Sequence, residues 1–233
     1  MIRTALNYIF NIVSNWISNL VWYAAWNVFF TMGPVLSAYI LGDFLVGFFH
    51  WIKDSYFAPH TPFVGREFVW NSRLHHLKPR HVIEFTDWEL IKSSGKWVCL
   101  WMVPVMYVLN FNVFSVMLFG TLLLNDVIHK YAHMMDHERP YWATLLQKSY
   151  LIQSYGEHHL HHLPPHDNNY CPVTPFVNVV LEKVNFWRRL ERFIETKFSI
   201  KARNYKDNFV EDDNYPAGIK FIPSFPAIAP TEN

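Results

Sequence analysis

Residues 34–52 read PVLSAYILGDFLVGFFHWI, and the next two residues are Lys53 and Asp54. The run is apolar apart from Asp43 and is nearly long enough to cross a hydrocarbon core of about 30 Å as a helix. It ends on His50. On a helix, positions i and i+4 share a face, so His50 and Asp54 point the same way. Asp43 lies seven residues before His50 on that face. An ionisable group in or beside a membrane span is a candidate functional group.

Working outward, residues 97–109 (WVCLWMVPVMYVL) and 113–128 (VFSVMLFGTLLLNDVI) flank Asn110-Phe111-Asn112. They read as a hairpin of two spans, 96–111 and 112–134. Upstream, residues 17–32 (ISNLVWYAAWNVFFTM) form a further span if extended back to Ile12, with Gly33-Pro34 as the turn. Leu6, Ile9, Phe10, Val13, Trp16 and Ile17 recur at helical spacing, so an interfacial amphipathic helix is the alternative there. Asn7, Asn11, Asn15 and Asn19 interrupt the apolar core that a signal peptide needs. The expectation is an all-α integral membrane protein with about four transmembrane helices. A membrane-embedded domain covers 1–198. A polar, flexible tail covers 199–233, where Glu211-Asp212-Asp213 and later prolines show no helical period.

Composition agrees. Aromatic residues make up 18% and charged residues 17% of the chain, against about a quarter charged in soluble domains. The net charge of +1 and the lack of a basic stripe exclude a nucleic-acid partner. Cys99 and Cys171 make no disulfide framework and read as free thiols. Basic residues concentrate in 53–96 and after residue 135, and the turns near 33 and 111 carry none. The positive-inside rule puts 53–96 and the C-terminus in the cytoplasm, and four spans bring the N-terminus there too.

Thirteen histidines are a heavy load, and most are clustered. His129 and His133 form an HxxxH at the end of an apolar run. His158, His161 and His162 form an HxxHH. His75 and His76 form a pair in the basic loop. With His50 they make more ligands than one zinc takes, and imidazole with carboxylate also suits iron. All four clusters fall at one membrane face. A metal transporter would hold its ligands near the bilayer midplane instead. The ligand candidates are His50, His75, His76, His129, His133, His158, His161 and His162. Asp43, Asp54, Asn125, Glu157, His81, His159 and His166 are candidates for holding those ligands in place. His60 and His137 read as solvated. A lipid chain is expected in a slot lined by Phe44, Phe48, Leu122 and Val127. Arg73, Lys78 or Arg80 are expected to meet the head-group phosphate.

The ordered set G-D-F-x-x-G-x-x-H-W-x-x-D (42–54), HH-x-x-P (75–79), H-K-x-x-H (129–133) and HxxHH-x-x-P-H (158–166), followed by CPVTPFVNVVLEKVNFWRRLE, resembles one family. These are the plasmanylethanolamine desaturases of the Kua or CarF type, a family that broadly includes the plant phosphatidylglycerol trans-desaturase. The resemblance covers about 34–195. It implies a non-haem centre of two irons, molecular oxygen, and electrons from a cytochrome b5-type donor. It also implies an ether phospholipid substrate and residence in the endoplasmic reticulum, or the inner membrane if bacterial. The animal members have HHxxHH where this chain has Glu157 before His158. Two alternatives stay open. One is a diiron desaturase or hydroxylase acting on an acyl chain. The other is a non-enzymatic, His-rich metal-binding membrane protein.

Overall fold

The structure is a computed structural model that describes residues 2–59 and 61–203. Its regular elements in this range are all helical, with α1 at Ile2–Tyr56, α2 at Trp70–Leu77, α3 at Asp87–Leu109 and α4 at Val113–Ala132. Four shorter helices follow: α5 (Tyr141–Lys148), α6 (Tyr155–His159), α7 (Pro175–Lys183) and α8 (Phe186–Phe198). His60 and most of the expected tail lie outside the described residues.

The N-terminal expectation needs correction. Gly33-Pro34 makes no turn, and Pro34 sits inside one continuous helix of 55 residues. A proline removes one backbone bond, but in apolar surroundings no water competes for the freed groups, so the helix can continue. Among the described residues, two helices are long and apolar enough to cross a membrane: Val13–Tyr56 and α4. The first two expected spans thus fall within one helix, and α4 matches the fourth. The 23 residues of α3 lie beside α4. Large apolar side chains such as Trp16, Leu20, Trp22, Phe29, Tyr107 and Val116 are exposed, as lipid-facing groups would be.

The hairpin turn is where the sequence placed it. Asn112 caps α4, accepting from the Ser115 amide at 3.0 Å, and Ser115 Oγ accepts from the Asn112 amide at 3.0 Å. The start of α3 is earlier than expected. α3 begins at Asp87, nine residues before Lys96, behind a capping box of Thr86 and Glu89, so acidic and basic residues expected in a loop lie in its first turns.

α1 packs along α4, and a glycine permits the contact. A Cβ on Gly42 would lie 2.6 Å from Thr121 Cγ2. One and a half turns on, a Cβ on Gly47 would overlap Cys171 Sγ. These close approaches draw the C-terminal half of α1 against both α4 and the chain that follows the HxxHH.

The core divides into three clusters. Trp51, Tyr170, Cys171, Val177 and Trp187 join α1 to α7 and α8, with Phe44 and Phe48 packed against them. Ala38, Met102, Met106 and Leu118 join α1, α3 and α4, with Leu122 against them. Val127, Tyr131 and Ala143 join α4 to α5. The expected slot lining is thus dispersed: Phe44 packs on α8, Phe48 on Trp51, Leu122 against the α1–α3–α4 cluster, and Val127 beside α5.

Candidate metal centre

Nine donor residues from four segments converge on the C-terminal ends of α1 and α4. The last turns of α1 give His50 and Asp54. The end of α2 gives His75 and His76. His129 lies in the last turn of α4, and His133 caps it. α6 and the 3-10 turn after it give His158, His161 and His162.

These residues form two groups. His75, His129, His133, His158 and His162 make the first; His50, Asp54, His76 and His161 make the second. In each group the donor atoms all lie within 4.8 Å of one another. The division follows helix geometry. The i, i+4 pairs (His50/Asp54, His129/His133, His158/His162) stay in one group because they share a face. The adjacent pairs (His75/His76, His161/His162) split between groups because successive helical residues diverge by about 100°. The groups adjoin, with the His76 and His162 rings 5.2 Å apart.

Distances within the groups fit a shared cation. In the first, Nε2 of His129 is 2.8 Å from Nε2 of His158 and 3.1 Å from Nε2 of His133. Nε2 of His162 is 3.2 Å from Nε2 of His158. In the second, Nε2 of His161 is 3.1 Å from Nε2 of His50 and 3.3 Å from Nε2 of His76. Two nitrogens each about 2.1 Å from one ion, at right angles, lie about 3.0 Å apart. Hydrogen bonding fits poorly, because a neutral imidazole has one N–H and one lone pair. His129 and His158 each have two such Nε2 neighbours. His75 Nε2, His158 Nδ1 and His162 Nδ1 are buried without a hydrogen-bond partner.

Protonation is consistent with ligation. Burial, then the neighbouring imidazoles, holds His75, His158 and His162 well below the usual histidine range. Burial, then His50 and His76, does the same for His161. Their lone pairs are therefore free at neutral pH, as metal binding requires.

Supporting contacts set tautomers in the second group. His50 Nδ1 donates to the Tyr170 carbonyl at 3.2 Å, and His161 Nδ1 to the Asn168 carbonyl at 2.7 Å. A carbonyl only accepts, so each Nδ1 carries the proton and each Nε2 presents a lone pair. His166 Nδ1 lies 3.2 Å from both His76 Nδ1 and the His161 carbonyl. Its φ of 59° is left-handed, which costs a non-glycine residue about 1–2 kcal/mol. Asp43 acts at a distance: it accepts from Val173 N (2.8 Å), Thr174 N (2.9 Å) and Thr174 Oγ1 (2.6 Å), pinning the chain after the HxxHH to α1.

Several expected residues lie elsewhere. His81 faces outward and pairs with Glu84 at 3.0 Å. His159 stacks on Tyr155, with ring centres 5.5 Å apart. Asn125 donates to the Leu122 carbonyl of its own helix at 2.6 Å. Glu157 accepts from Ser154 N at 2.7 Å and so orients α6. Asp54, expected in a supporting role, stands among the donors. Arg73 is buried and binds the Asp54 carbonyl at 3.0 Å. Arg80 binds the His133 carbonyl at 3.2 Å and Glu138. Both arginines are thus engaged in the fold where a phosphate contact was expected. Sequence reading missed Gln153, whose amide donates to the Cys171 and Thr174 carbonyls at 2.6 and 2.9 Å. A single glutamine after Leu151-Ile152 carries no signal of that role.

Comparison with known proteins now decides the family. A lipid desaturase domain matches residues 39–205, which include all nine donors. The chain belongs to the lipid desaturase family. It is 53% identical to a probable fatty acid desaturase of Acanthamoeba polyphaga mimivirus, across 81% of this chain and 94% of that protein. It is 29% identical to plasmanylethanolamine desaturase 1 of Mus musculus, across 83% and 76%. It is 27% identical to the plasmanylethanolamine desaturase of Myxococcus xanthus, across 70% and 60%. No solved structure matches. This lipid desaturase is therefore an oxidoreductase, which sets aside the non-enzymatic reading.

Proposed function

We propose that this lipid desaturase forms the vinyl ether bond of plasmalogens, removing two hydrogens from the first two carbons of a 1-O-alkyl chain in an ethanolamine phospholipid. The observation that carries this is the placement of the donors at the ends of α1 and α4. A chain threaded from the bilayer offers its glycerol-proximal carbons at that depth, and its mid-chain carbons lie deeper. The mouse and Myxococcus relatives carry the corresponding name.

The two groups would hold two irons, the first on His75, His129, His133, His158 and His162 and the second on His50, His76 and His161. Iron with molecular oxygen supplies the oxidising power that no side chain has. The chain's own residues do the rest. Tyr170 and Asn168 carbonyls keep the Nδ1 protons on His50 and His161. Asp43 closes the 171–174 segment over α1. Burial of His158 and His161 keeps water off the centre. A cytochrome b5-type protein would deliver electrons at the cytoplasmic face, and the endoplasmic reticulum is the proposed membrane in a eukaryotic host. Protease added to cytoplasm-out microsomes should cleave a site engineered into the tail; a protected tail contradicts this orientation.

The name of the mimivirus relative favours a second reading, desaturation of an acyl chain. Expression in cells lacking plasmanylethanolamine desaturase, fed an alkylglycerol, separates the two. The proposal expects acid-labile ether lipids lighter than their precursors by two hydrogens. An acyl lipid gaining a double bond, with no acid-labile species, would establish the second reading.

A further inference from the structure

We infer that Asp54 gives a carboxylate oxygen to the metal held by His50, His76 and His161, and that Ser72 and Arg73 are positioning residues that fix which oxygen it gives. This rests on the two-iron reading above.

The two oxygens of Asp54 have different surroundings. Oδ1 accepts from Ser72 Oγ at 2.9 Å and faces Arg73 Nη1 at 3.4 Å. Arg73 Nη2 donates to the Asp54 and Phe57 carbonyls at 3.0 and 3.3 Å, which fixes the guanidinium behind the carboxylate. Oδ2 has no hydrogen-bond partner and is buried. It lies 3.1 Å from His76 Nε2, 3.3 Å from His50 Nε2 and 3.9 Å from His161 Nε2.

The tautomers make that arrangement informative. His50 and His161 carry their protons on Nδ1, so their Nε2 atoms turn lone pairs, not N–H bonds, toward Oδ2. A buried anionic oxygen facing these two lone pairs is repelled unless a cation lies among them; His76 Nε2, 3.1 Å away, is the one neighbour whose tautomer no carbonyl sets. Asp54 is only 2% exposed, so water does not relieve it. The second position is then three nitrogens and one anionic oxygen, and the first is five neutral nitrogens. The two metals differ in donor charge by one unit. The plainer role for the Asp54–Arg73 pair is to tie α2 to α1, and the test separates the two.

The full chain is purified in detergent and loaded with 57Fe. Iron per chain, Mössbauer spectra and loss of iron to a chelator are measured. The wild type should show two quadrupole doublets of equal area. In Asp54→Asn, iron should fall from two toward one per chain, with one doublet surviving. Ser72→Ala removes a single hydrogen bond. It should keep its helix content and lose the second iron about 10- to 100-fold more readily, as for other residues that orient ligands. Two irons and an unchanged spectrum in Asp54→Asn overturn the ligand assignment. If Asp54→Asn instead loses both irons, Ser72→Ala decides: selective loss of one iron upholds the inference, and wild-type retention overturns it. A wild type that binds fewer than two irons fails earlier, at the two-iron reading itself.

Discussion

His133→Ala and His162→Ala should each abolish desaturation while the protein still inserts into membranes at wild-type level. Both side chains stand in the five-histidine group. Substitution of residues that merely orient ligands costs about 10- to 100-fold, and loss of a donor should exceed that, beyond about 100-fold. Insertion is spared because it depends on apolar content in Val13–Tyr56 and α4, and neither histidine lies in the apolar part of a span. His81→Ala and His159→Ala supply the contrast. Both come from the same histidine-rich segments, yet one pairs with Glu84 and the other stacks on Tyr155. Each should keep activity within a few-fold of wild type. Product measured in microsomes, normalised to membrane-integrated protein, checks all four. Full activity in His133→Ala or His162→Ala would remove that residue from the metal centre.

How much of this was legible in the chain depended on whether the signal was local. The i, i+4 pairs are local, and His129/His133 could be read from spacing alone. The partition of His75 from His76, and of His161 from His162, needs the 100° divergence of neighbours plus a metal on either side. The sequence offers no second side to measure against. Asp54 was visible as a partner of His50, but ligand and support differ only in where Oδ2 points, and Ser72 and Arg73 decide that from 18 and 19 residues away. The start of α3 is written locally in Thr86-x-x-Glu89, whereas the apolar run that suggests a span begins only at Trp97. Gly33-Pro34 misled for the opposite reason. It is a strong turn signal in water, and the residues around it are surrounded by apolar neighbours. The lining residues failed because facing depends on which helix arrives. Phe44 is covered by Trp187 and Phe186 of α8, and nothing near residue 44 announces that contact.

Two irons per chain is the second large expectation, and it follows from donor number and spacing. Nine donors exceed what a tetrahedral zinc site takes, which is four. They also exceed the coordination of any single ion of that size, and they fall into two groups instead of one shell. Neutral imidazoles with one carboxylate suit iron, and a set meant for structural zinc would be smaller and closed. The most direct measurement is therefore the iron and zinc content of the detergent-purified full chain, taken per mole of protein. The account predicts iron near two equivalents and little zinc. A single tightly bound zinc, or no bound metal in protein that retains its helix content, would contradict it.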